Sequence, residues 1–115
     1  MKKLLLFVIF FSFSLTVISQ SSDIQKIESQ FNEMSITRKG LTEKIRIDIS
    51  GLSLYDFITS IAEEHQLNVS VDNDLTQIVN SNFFDVEVRN VFLFLIQKYD
   101  LEVAFMNSII SFNKK

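Results

Sequence analysis

The first amphipathic pattern along the chain covers residues 22–39. Four apolar residues recur there at steps of three and four: Ile24, Ile27, Phe31 and Met34. This spacing places them on one stripe and predicts a helix, which Gly40 is expected to end in a left-handed conformation. A helix of this length is marginal alone in water, so its stripe is expected to lie on the domain that follows or on a second copy of the chain.

The pattern then changes between the period of strands and the period of helices. Residues 44–49, KIRIDI, place isoleucine at every second position, as in a strand with one solvent-exposed face. Residues 54–65 follow with apolar side chains at helical steps, behind Ser53 and Asp56 at the spacing of a helix cap. The run LNVSV, residues 67–71, returns to strand spacing. Together these segments predict a strand, a helix and a strand.

The same pattern occurs a second time, since ten apolar positions coincide when the chain is laid on itself with Ile49 aligned to Phe83. The first member of each pair is Ile49, Leu52, Leu54, Phe57, Ile58, Ile61, Ala62, Leu67, Val69 or Val71. A last run, IISF at 109–112, can pair back on LEVAF at 101–105. The sequence therefore predicts an α+β fold of order βαββαββ, with two helices packed on small mixed sheets.

The acidic stretch VDNDL, residues 71–75, lies between the two repeats. A calcium loop beginning at Asp72 needs a glycine where Gln77 stands and a glutamate where Phe83 stands. Aspartate and asparagine also favour turns, because their side chains hydrogen-bond to nearby backbone. We therefore interpret the stretch as a turn and expect no metal and no cofactor.

The start of the chain, positions 1–19, predicts a signal peptide. Lys2 and Lys3 precede an apolar run that is shorter than a membrane span and is interrupted by hydroxyl residues. Small side chains before the junction predict cleavage between Ser19 and Gln20, with an uncleaved anchor as the alternative. Residues 20–43 would then form the amphipathic helix and a linker, and residues 44–113 the repeat domain.

Composition excludes several classes of function. The absence of cysteine excludes disulfides, thiolate metal sites and a cysteine nucleophile. Without Lys2 and Lys3, nine of the 11 basic residues remain against 14 acidic ones, which leaves a net charge of −5. A negative chain repels phosphate backbones, so nucleic acid is not an expected partner.

His65, the one histidine, is the best candidate for catalysis. At helical spacing it falls inside the apolar stripe, whereas Asp56 and Glu63 lie on the opposite side, so no acid–base pair converges. No serine–histidine–aspartate set or glycine-rich phosphate loop is present in the sequence. We therefore expect a protein that is not an enzyme and has no small-molecule substrate, while a secreted binder of small ligands stays open as a third class.

Three stretches carry a resemblance to a known family: GLSLYDFITSIAEEHQLNVSVDNDL, FFDVEVRNVFLFLIQKYDLEVAF and IISF. They resemble the short N-terminal domain shared by secretins and TonB-dependent receptors, over about residues 44–113. The resemblance implies two helices clasped between a two-stranded and a three-stranded sheet. It also implies a periplasmic docking module, which in secretins meets inner-membrane components of an export machine.

The resemblance leaves the context of the module open. It implies protein partners in the cell envelope, including further copies of the chain in a ring, and association with the outer membrane if a longer secretin follows. The alternatives are a receptor domain that contacts a transmembrane regulator and a free-standing secreted adaptor. Secretins and receptors continue for several hundred residues beyond such a domain, so this chain is expected to be either a fragment or a separate copy.

The wet side of the first strand is one candidate for partner binding, because small sheets have edges and charged faces on which proteins dock. Lys44, Arg46 and Asp48 alternate there in sign. The competing interpretation is that these charges are simply solvated.

A second candidate is the pair Leu93 and Phe94, which replaces Thr59 and Ser60 of the first repeat. Both side chains lie roughly 100° or more from the centre of the main helical stripe and therefore need a second cover. A partner, the upstream helix or the domain itself could supply it, and we expect cover from within the chain.

Overall fold

The computed structural model describes the chain from Ser19 to Lys115, so the expected signal peptide lies outside the described residues except for its last one. One helix precedes a βαββαββ arrangement, as the repeat predicts. The elements are α1 (Ser19–Met34), a 3-10 helix (Lys39–Thr42), β1 (Lys44–Ser53), α2 (Leu54–Glu64), β2 (Asn68–Val71), β3 (Ile78–Glu87), α3 (Val88–Lys98), β4 (Leu101–Met106) and β5 (Ile109–Lys114). Among these described residues, no helix has both the length and the apolarity of a membrane span.

Two small sheets enclose the helices α2 and α3. Strands β1 and β3 pair antiparallel in a two-stranded sheet. In the other sheet β5 is central, parallel to β2 and antiparallel to β4. Helix α2 contacts both sheets through β1 and β2, and α3 does so through β3 and β4. The expected α+β fold with small sheets is confirmed, and the three-stranded sheet is the mixed one.

The internal repeat is preserved in the backbone. The alignment of Ile49 with Phe83 carries the bounds of β1 onto those of β3 and the bounds of α2 onto those of α3. At the helix starts, the N–H of Leu54 donates to the carbonyl of Gln77, and the N–H of Val88 donates to the carbonyl of Glu43, each at 2.9 Å. The same alignment exchanges these two bonds, so the repeats are related by an approximate two-fold axis. The axis passes between Asp48 and its ladder partner Asn82.

The core is formed largely by the positions that the repeat aligned. Phe57 and Phe92, one on each helix, are both fully buried. The ring of Phe57 stacks on Phe83 with centroids 6.0 Å apart, and the ring of Phe92 meets Phe112 edge-on at 5.1 Å. Each of these large rings contributes substantially to the stability of the domain through its burial.

Helix α1 packs against this core through Phe31, which is fully buried. The ring of Phe31 meets Phe105 of β4 edge-on at 4.9 Å and lies 6.1 Å from Phe92. Nearby, Arg89 on α3 donates to the side-chain oxygen of Asn32 at 2.7 Å. Helix α1 therefore shares the core of the repeat domain.

The predicted end of α1 is wrong. The helix ends at Met34, and Gly40 lies in the 3-10 helix without a positive φ. The hydroxyls of Ser35 and Thr37 bond to backbone carbonyls just behind them, which competes with continuation of the helix. Gly40 is needed for close packing instead, because a Cβ there would lie 2.1 Å from the carbonyl oxygen of His65.

Candidate docking surface

The two-stranded sheet has one buried side and one exposed side. Ile45 and Ile49 point into the core, and the alternating Lys44, Arg46 and Asp48 are exposed on the other side, where the sequence places them. We call this exposed side the outer face. Its side chains are Lys44, Arg46, Asp48 and Ser50 from β1 and Asn80, Asn82 and Phe84 from β3.

Arg46 and Phe84 form a stacked pair on the outer face. Arg46 and Phe84 are ladder partners, and the guanidinium carbon lies 4.1 Å from the centroid of the ring. This is the geometry of a cation–π contact. Phe84 nevertheless remains 64% exposed, the largest exposed fraction among the phenylalanines of the described residues. Phe84 is not among the candidate residues that the sequence suggested, although the period of the strand puts it on the exposed side, opposite to Phe83.

The charged side chains of the outer face differ in whether they have an ion-pair partner. Lys44 lies 3.6 Å from Asp85, and both side chains are more than half exposed, so solvent weakens the pair. Asp48 has no ion-pair partner among residues 23–115. The face therefore offers a cation stacked on an aromatic ring beside an unmatched carboxylate.

The sheet that carries this face also has free backbone edges, because within the described residues β1 and β3 pair only with each other. Beside the edge of β1, Ile47, Ile61 and His65 are among the side chains that line a small groove of about 170 Å³. A β-bulge lies near each end of the ladder, at Gly51 and Asp85. Such bulges twist a sheet and limit its open-ended pairing with other strands.

Leu93 and Phe94 lie away from the outer face. Leu93 is half-buried against the core, and Phe94 is 40% exposed. The ring of Phe94 meets Phe83 edge-on at 5.6 Å, and the amine of Lys98 lies 5.5 Å from its centroid. Since Phe83 points into the core, the structure does not place this pair on the same surface as Arg46 and Asp48.

His65 pairs with a residue of the linker before β1. Its Nδ1 lies 2.6 Å from Oε1 of Glu43, and its side chain is 11% exposed. Asp56 and Glu63 are exposed on the opposite side of α2, as their helical spacing predicts. Within the part of the chain that is described, histidine and carboxylate side chains do not form a group of three that could hold a metal.

The acidic stretch after β2 is a turn, as predicted. The carboxylate of Asp72 accepts from the backbone N–H of Asp74 at 3.0 Å and from that of Lys114 at 3.4 Å. The N–H of Asp72 donates to the carbonyl of Phe112 at 2.9 Å. These bonds tie the end of β2 to the end of β5.

Comparison with known proteins bears on the fold. No protein-family model and no curated protein sequence matches this chain. Among solved structures, it is similar to the N0 domain of the type II secretin from enterotoxigenic Escherichia coli, with a TM-score of 0.51 and 12% identity. The match covers 62% of this chain and 94% of the secretin domain. The chain thus has a fold like that of the N-terminal domain of a secretin.

Proposed function

We propose that this protein is a non-enzymatic docking module of an envelope protein-export assembly, delivered to the periplasm by its signal peptide. Two observations support the proposal: the secretin N0-like fold and the exposed Arg46–Phe84 pair on the outer face. The second observation indicates where a partner binds, which the fold alone does not define.

Arginine and aromatic side chains are enriched at the centres of protein interfaces, where they bury a large area. An arginine that already stacks on a ring is held in place before the partner arrives. Phe84 is 64% exposed, so a partner can still remove much of its surface from water. A matching partner surface carries an apolar group opposite Phe84 and a carboxylate opposite Arg46.

The neighbouring charged side chains also restrict the orientation in which a partner can bind. Asp48 and Lys44 lie on either side of Arg46 along β1, with opposite charges. An arrangement of both signs on one strand selects a partner in one orientation, because the reversed orientation brings like charges together.

The test is affinity capture from envelope extracts with the secreted protein as bait. The variant Lys44→Glu with Arg46→Glu should lose an envelope protein that the native bait retains. The matched control is Lys26→Glu with Lys114→Glu, which makes the same change in charge at two exposed sites off the outer face. Thermal melts should be equal for all three baits. If the native bait and the first variant retain the same proteins, the outer face is not the docking surface.

A further inference from the structure

An apolar patch lies at the end of the molecule where α1 finishes beside the β4–β5 hairpin. Ile36, two residues beyond the end of α1, is 77% exposed. The apolar residues of this hairpin-end patch are Met34, Ile36 and Phe105. Clustered apolar side chains of this size on a surface mark an interaction site more often than single ones do.

The patch contains an open groove of about 670 Å³ between the last turn of α1 and the hairpin turn. Met34, Ile36 and Phe105 supply its apolar lining, and Asn107 and Ser108 close it at the hairpin. The groove is large enough to receive an aliphatic side chain from another molecule.

Two opposite charges also line the groove. Glu33 is exposed and Arg38 is half-buried, and neither has an ion-pair partner in the described part of the chain. Both charges are therefore available to another molecule. A surface with an apolar centre and one free charge of each sign is complementary to itself about a two-fold axis that passes midway between the charges, because the rotation then brings each acid to the other copy's base.

We propose that two copies of this chain associate about a two-fold axis through the hairpin-end patch. Ile36 of each copy occupies the groove of the other, and Glu33 of each copy faces Arg38 of the other. A foreign protein of single-signed charge gains from only one of the two rim charges, whereas a second copy satisfies both. The patch shares no residue with the outer face, so the dimer leaves that face free.

The oligomeric state of the secreted protein, measured by sedimentation over a range of concentrations, tests this proposal. The native protein should show a monomer–dimer equilibrium. Ile36→Ser should raise its Kd by about tenfold or more, while Ile78→Ser, at another exposed isoleucine, should leave it unchanged. A protein that stays monomeric up to about 1 mM overturns the proposal.

Exchanging the two charges tests the proposed contacts between Glu33 of one copy and Arg38 of the other. Glu33→Arg alone and Arg38→Glu alone should each weaken the dimer, because each creates two like-charged contacts per dimer. The combined variant should recover native affinity, since both pairs form again with reversed signs. Glu28→Arg, an exposed site on the same helix outside the groove, is the control. A dimer that tolerates both single variants, or that the combined variant does not restore, overturns the proposed interface.

Discussion

Gly51 and Asp85 occupy equivalent places in the two repeats, and both have positive φ, 83° and 59°. Each is the extra residue of a bulge, Gly51 in β1 and Asp85 in β3. At Gly51 the N–H also donates to the side chain of Asn80 at 3.1 Å. A glycine takes this conformation freely, whereas an aspartate is one of the few other residues that tolerate it.

Gly51→Ala should therefore lower the free energy of unfolding by about 1–2 kcal/mol, through strain at positive φ alone. Beyond its two chain neighbours, no atom lies within 4 Å of the added methyl group, so overlap with the rest of the fold does not contribute. Asp85→Gly should be neutral or stabilising, since it relieves the same strain and loses only an exposed ion pair. Denaturant melts measure both. An unchanged midpoint for Gly51→Ala contradicts the bulge geometry.

The aromatic core should be sensitive to substitution in both helices. Phe57→Ala and Phe92→Ala should each cost about 3–5 kcal/mol, because each empties a fully buried ring site. Phe84→Ala on the outer face is the control and should cost less than about 1 kcal/mol. A loss below about 1 kcal/mol for either core variant means that the helix faces are assigned wrongly.

The pair on α3 should contribute to stability in proportion to its partial burial. Leu93→Ser with Phe94→Ser should cost about 2 kcal/mol, since Leu93 is half-buried and the ring of Phe94 covers Phe83. A denaturant melt and a capture experiment on the same variant separate the two roles. Full stability with lost capture would make Leu93 and Phe94 the docking site in place of the outer face.

The start of the mature protein is a separate prediction from the sequence. Cleavage after Ser19 gives a chain that begins at Gln20, which intact mass of the secreted protein measures directly. A mass that still includes residues 1–19 means an uncleaved anchor and a module tethered to the membrane.

Local periodicity was sufficient to predict most of the fold. Ser53 caps α2 by accepting from the N–H of Asp56, and the apolar spacing behind it defines the buried face. These signals lie within a few residues of one another, and the apolar spacing recurs in the second repeat. Aligning the two repeats then related the halves of the domain without any knowledge of their contacts.

What the sequence could not supply are contacts between distant segments. Gly40 follows a basic turn, which is the pattern of a helix stop, yet its role depends on the carbonyl of His65. The pairing of His65 with Glu43 likewise joins α2 to the linker before β1. Phe84 lies under Arg46 because the register of the β1–β3 ladder makes the two residues partners. None of these pairings has a local pattern that predicts it.

Photo-crosslinking from the middle of the outer face tests the central claim most directly. Asn82 is exposed and is the ladder partner of Asp48, so a photoreactive residue placed there reaches whatever covers the face. The same residue in place of the exposed Glu102 on β4 is the control. In the cells that make the protein, we predict that the photoreactive residue at position 82 forms an adduct with an envelope protein other than this one. The residue at position 102 should give no adduct of the same mass. The absence of any adduct at position 82, or the same adduct from both positions, would contradict docking through this face.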